Sequence, residues 1–150
     1  VERGLCVVGV RTDADTPTPI QTYNESVNEG WRVRLGDYIT EVNNARGETK
    51  ALVQALRQCT KAELEIRRPR LRTVCIPKGP DTDLGLDVSY TQDAMVLIVS
   101  QLHEGSVKAF NAAHPEAAVQ TSDRILAVNG TQGPPLELIE QMRRPCEVVE

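Results

Sequence analysis

The chain has 150 residues, 40% of them hydrophobic and 25% charged, with a formal net charge of −4 and a pI near 5.3. The acidic balance argues against a general affinity for nucleic acid, and the few aromatics (Trp31, Phe110, Tyr23, Tyr38 and Tyr90) form no stacking platform for bases. No apolar run approaches the ~20 residues needed to cross a bilayer, and no signal-like segment follows Val1; because the chain does not start with Met, a fragment or a processed product is expected.

In chain order, Leu5-Cys6-Val7-Val8-Gly9-Val10 reads as a short apolar strand after Gly4. Residues 11–19 carry Asp, Thr and Pro and form a surface connection. Ile20-Gln21-Thr22-Tyr23 alternates and predicts a return strand, and residues 24–31 are polar loop. Gly36-Asp37-Tyr38-Ile39-Thr40-Glu41-Val42-Asn43-Asn44 predicts a strand closed by a tight turn. Thr49 is placed to cap a helix reaching Gln58, with Ala51, Leu52, Ala55 and Leu56 on its apolar face. Ala62-Glu63-Leu64-Glu65-Ile66 alternates strictly and closes the first unit as a strand. The basic run Arg67-Arg68-Pro69-Arg70-Leu71-Arg72 reads as a solvated connector, or as a local patch for an acidic partner or membrane surface.

Thr73-Val74-Cys75-Ile76 opens the second unit as a strand, and residues 78–83 form a turn-rich loop. Leu84-Gly85-Leu86-Asp87-Val88-Ser89-Tyr90 is a glycine-opened strand, followed by the β-prone run Met95-Val96-Leu97-Ile98-Val99. Residues 105–111 predict a short helix stopped by His114-Pro115. Ser122-Asp123-Arg124-Ile125-Leu126-Ala127-Val128-Asn129-Gly130 repeats the strand-and-turn pattern. Pro134-Pro135 then start a helix through Arg143, with Leu138, Ile139 and Met142 as its stripe. Residues 146–149 form the last strand.

The two strand-and-turn segments are related by one offset of 86 residues. Val33 matches Val119, Asp37 matches Asp123, Ile39 matches Ile125, Val42 matches Val128, Asn43 matches Asn129, and Gly47 matches Gly133. Six matches at one spacing indicate an internal duplication, with units at 1–68 and 69–150 and the first unit short of its N-terminal strand. Each unit is large enough for one small core.

With Leu84-Gly85-Leu86 ahead of the second strand and residues 122–130 between two helices, the chain resembles tandem PDZ domains. That resemblance implies an α+β fold of two small, partly open β-barrels or sandwiches, each capped by one or two helices. It also implies a non-catalytic interaction module, a scaffold or adaptor that binds partner C-termini or extended segments by strand addition. In the second unit the resemblance puts Leu84, Gly85, Leu86 and Val88 on one side of the groove and Pro135, Ile139 and Met142 on the other. Gly85, lacking a Cβ, leaves room for the approach of a terminal carboxylate to a nest of N–H groups. The matching positions in the first unit are Gly4, Leu5 and Val7, with Thr49, Val53 and Leu56 on the helix. A histidine often begins the long helix where a ligand hydroxyl is selected. Thr49 and Pro135 stand there instead, which implies an apolar ligand position in the second unit.

Two other readings stay open. Residues 109–115 are similar to divergent PDZ-like repeats of some algal proteins. This raises an assembly subunit peripheral to a larger complex, a photosynthetic membrane complex among them, with vestigial grooves. The other is the regulatory PDZ part of a protease. No compartment is indicated. The only histidines are His103 and His114, and no G-x-S-x-G, G-x-G-x-x-G, P-loop or H-E-x-x-H pattern occurs, so neither an enzyme nor a cofactor is expected. Cys6, Cys59, Cys75 and Cys146 form no C-x-x-C pair, so they read as reduced, small apolar residues, although an even count permits disulfides. No metal site is expected.

Overall fold

The computed structural model describes residues 4–145 and the backbone of residues 148 and 149. Among the described residues the protein is α+β, with four α-helices and antiparallel sheets that stay open rather than closing into barrels. The chain divides into two compact units, Val1–Arg70 and Leu71–Glu150.

The first unit runs β1 (Leu5–Cys6), α1 (Pro19–Ser26), a 3-10 turn (Glu29–Trp31), β2 (Tyr38–Val42), β3 (Ala45–Arg46), α2 (Thr49–Gln58) and β4 (Leu64–Arg67). β2 is central and pairs with β1, β3 and β4. Val33, Tyr38, Val42 and Leu52 are buried. The return strand expected over residues 20–23 is a helix. Thr18 accepts a hydrogen bond from the Gln21 N–H at 3.2 Å, and Pro19 opens the first turn. This Thr-Pro-x-Gln start outweighs a four-residue alternation, because capping and a preset proline φ both favour the helix. In α2 the helix begins at Thr49, not after it. Leu52 is fully buried, whereas Ala51 faces solvent.

The second unit runs β5 (Ile76–Pro77), β6 (Leu86–Ser89), β7 (Leu97–Leu102), α3 (Ser106–Ala113), a 3-10 turn (Pro115–Ala117), β8 (Arg124–Ile125), α4 (Pro135–Arg143) and β9 (Val148–Val149). β6, β7 and β8 form one sheet in that order, and β5 pairs with β9. Cys146 lies outside the described residues. Ile76, Leu84, Leu97, Val107, Val128, Leu138 and Met142 make the core, with Leu86, Val88 and Ile139 packed against it.

Hydrogen bonds show which parts of the two units correspond. Asn24 donates to the Val33 carbonyl and accepts from the Val33 N–H at 2.9 and 2.8 Å. Asn111 clamps Val119 in the same way at 2.7 and 2.8 Å. Asp37 accepts from the Arg34 N–H and Asp123 from the Gln120 N–H, at 2.8 and 2.9 Å. Val42 and Val128 are both buried, and Asn43 and Asn129 turn the chain at φ 46° and 51°. α1 therefore stands where α3 stands, so the first unit has its own counterpart of the second unit's short helix.

The same comparison corrects the place of β1. Leu5 pairs with Ile39, as Leu97 pairs with Ile125. Val7 donates to the Asp37 carbonyl and accepts from Gly36, as Val99 does with Asp123 and Ser122. β1 is thus the counterpart of β7, not of β6. Gly4, Leu5 and Val7 do not occupy the positions of Leu84, Gly85, Leu86 and Val88. The fixed offset hid this because the connection from β1 to α1 is longer than that from β7 to α3.

The basic run is also not a free connector. Arg67 ends β4, and Arg68 makes a bidentate pair with the buried Asp37 carboxylate at 2.8 and 2.9 Å. Arg68 also donates to the carbonyls of Arg32 and Gly30 at 2.7 and 3.2 Å, so it ties the strand end to the turn before β2. Arg72 donates to Asp123 at 3.1 Å and to the Ala118 carbonyl at 2.6 Å, in a pair that is partly solvated.

Candidate functional site

The second unit presents the candidate site along β6. Leu86 pairs with Leu102 and Ser89 with Ile98, so β7 covers one edge. No strand pairs with the other edge among the described residues. Leu86 and Val88, on β6 itself, and Ile139, on α4, are half-buried against the same core and leave apolar surface exposed. Leu84 and Met142 are deeper, at 7% and 9% exposure, and serve the core more than a groove wall. Pro135 is buried in the first turn of α4. Leu84, Leu86, Val88, Ile139 and Met142 therefore belong to or pack against one core, with Leu86, Val88 and Ile139 as its accessible members.

The loop at the start of β6 is built differently from expectation. Gly85 has φ +73°. A Cβ there would meet the Glu104 carbonyl oxygen at 2.6 Å and the Gly105 Cα at 2.9 Å. Gly105 reciprocally crowds the Gly85 nitrogen and Cα. Gly85 is needed for this backbone contact. The segment is anchored from both sides: Ser106 donates to the Asp83 carbonyl, Val107 to the Leu84 carbonyl, and His103 to the Gly85 carbonyl, at 3.0, 2.9 and 2.7 Å.

Asp83 was missed as a site residue. Its Oδ1 accepts from the Gly85 N–H at 3.2 Å. The available signal was local, since an Asp two residues before a Gly commonly closes such a turn with its own side chain. The loop's lysine does not face this point. Lys78 Nζ donates to the carbonyls of Met142 and Arg144 at 2.7 and 3.4 Å, which caps the C-terminus of α4.

In the first unit, α2 carries Thr49 and Val53 along one open hollow with Lys50, Gln54 and Arg57. Leu56 does not line it. No counterpart of β6 lies opposite these residues among those described. The electrostatic feature of this unit is Asp37. Burial pushes its carboxyl up, but the hydrogen bonds from Arg68 and the Arg34 N–H, with the charges of both arginines, outweigh it and hold the pKa below the usual carboxylate value.

The remaining candidates are scattered. His103 Nε2 meets Asp87 Oδ2 at 2.8 Å on the exposed face of the β6–β7 pair. His114 lies against the Phe110 ring and 3.6 Å from Glu116. Asn24, in an Asn-x-Ser pattern, has its amide engaged by Val33. Among the described residues no group of three or more His, Cys, Asp or Glu is arranged to hold a metal ion, and no helix is long and apolar enough to cross a membrane.

Trp31 is 74% exposed. Its indole is expected to show solvent-like emission fully open to a neutral quencher. Trp31→Ala should change stability by no more than about 0.5 kcal/mol. Blue-shifted, quencher-protected emission would place a covering surface over it.

No family model matches the chain, and no curated protein matches it.

Proposed function

We propose that the second unit is a PDZ-like, non-catalytic interaction module that adds an extended segment of a partner protein to the open edge of β6. The observation that carries this is the unpaired β6 edge, with Leu86 and Val88 on the strand and Ile139 of α4 packed against the same core. An exposed edge offers main-chain hydrogen bonds for affinity, and the apolar side chains next to it read alternate residues of the guest. The order β5, β6, β7, α3, β8, α4, β9 supports the comparison with PDZ domains. So does the glycine-turned loop before β6. The partner is protein, and the reading requires no cofactor, nucleic acid or metal.

The test is a random-peptide selection on the 150-residue chain, followed by amide chemical-shift mapping with an enriched peptide. Shifts should concentrate on Leu86–Ser89 and the facing side of α4, with a Kd on the order of micromolar. Ile139→Glu should weaken binding at least about tenfold by placing a charge among apolar contacts. Failure to enrich any peptide, or shifts confined to other elements, would end this reading.

A further inference from the structure

We infer that the β6 edge receives an internal extended segment, carrying a lysine or arginine where it passes Asp83, and disfavours a free chain terminus. This rests on the strand-addition reading above and specifies its ligand. A loop that receives a terminal carboxylate needs N–H donors and a neutral or positive surrounding. Here the Gly85 N–H already holds a carboxylate, and that carboxylate belongs to the protein itself. Asp83 is fixed in place, because its own carbonyl accepts from Ser106 and the next carbonyl accepts from Val107. The lysine of the same loop is turned away onto the end of α4. Asp81 adds a second negative charge close by in the sequence, and neither aspartate appears in an ion pair among the described residues. Asp87, on β6 itself, is paired with His103 on its outer face.

An incoming carboxylate at this end of the strand therefore meets like charge, and the Gly85 donor is already engaged. Like charges at close range disfavour the wrong partner much more than they affect a neutral one. A chain that continues past the loop brings no terminal charge. A basic side chain at that position meets the Asp83 carboxylate and gains a charge-assisted contact. Charge complementarity therefore selects one occupant, an internal basic segment.

The experiment uses matched arrays in which each random sequence is made as a free acid, as a C-terminal amide, and embedded between Gly-Ser flanks. They are probed with the wild-type chain and with Asp83→Asn, whose side-chain oxygen can still accept from Gly85 while the charge is gone. On the wild type, embedded and amidated forms are expected to bind about tenfold or more tighter than the free acids, with Lys or Arg enriched at one register. On Asp83→Asn the difference between acid and amide should close and the basic preference should fade. A wild-type preference for free acids overturns the inference while leaving strand addition intact. So does a ratio unchanged by Asp83→Asn, with the variant's melting curve checked against the wild type. If Asp83→Asn does not fold, the wild-type acid-to-amide ratio decides alone. No binding by any of the three forms rejects strand addition, and the inference with it.

Discussion

Arg68→Met is expected to destabilise the first unit by about 3 kcal/mol, because it leaves the Asp37 carboxylate buried without its bidentate cation partner. Asp37 has a 2% exposed side chain, and Arg68 reaches both of its oxygens. The loss should also depend on pH, with a sign that the structure sets. The folded pKa of Asp37 is depressed below its unfolded value. Its stabilising contribution is therefore present above about pH 4 and is lost as pH falls through the folded pKa. In Arg68→Met the lowering by Arg68 is gone, so the Asp37 pKa moves up and the variant loses less stability on acidification. The stability gap between wild type and variant should be widest near neutral pH and should shrink on acidification. Urea melts followed by first-unit amide signals between pH 3 and pH 7 measure this. A gap that stays constant with pH would show that Arg68 acts through packing alone. Arg72→Met is the comparison: its pair with Asp123 is 46% and 41% exposed and should be worth no more than about 1 kcal/mol.

The second large effect is at Gly85. Gly85→Ala is expected to destabilise the second unit by about 3 kcal/mol or more, since both the backbone conformation and the space are wrong for a side chain. Gly130 separates these causes. It has φ +75°, close to that of Gly85, yet nothing lies within 4 Å of a Cβ built there. Gly130→Ala should cost only the left-handed penalty, about 1 kcal/mol. Equal losses at the two sites would mean that the Glu104–Gly105 backbone moves aside and that the close approach is not a constraint. The result also bears on the choice of binding tests. A substitution at Gly85 disturbs the fold of the loop, so Ile139 and Asp83 are the cleaner positions for probing the β6 edge.

Several elements were legible because their signals are local. α2 and α4 follow from apolar spacing and, for α4, from Pro135 in the first turn. The turns at Asn43 and Asn129 follow from residues that tolerate positive φ. Other readings depended on partners far along the chain. The run Arg67–Arg72 looks like a solvated connector until Asp37 is found beside Arg68. Asn24 reads as a loop residue and Asn111 as the end of a short helix until each is seen clamping a valine eight or nine positions on. At residues 20–23 a short alternation competed with a helix start at Thr18, and the capping interaction prevailed.

What the sequence determined by itself was the duplication, the helices α2, α3 and α4, and the tight turns, since each depends on the conformational preferences of neighbouring residues. The tertiary structure decided which strand is β1's equivalent, which edge of β6 is open, and what Gly85 and Asp83 face. The physical reason is that a strand's identity lies in its hydrogen-bonded neighbours. Leu5 acquires the role of Leu97 only through its pairing with Ile39, and no local preference encodes that partner.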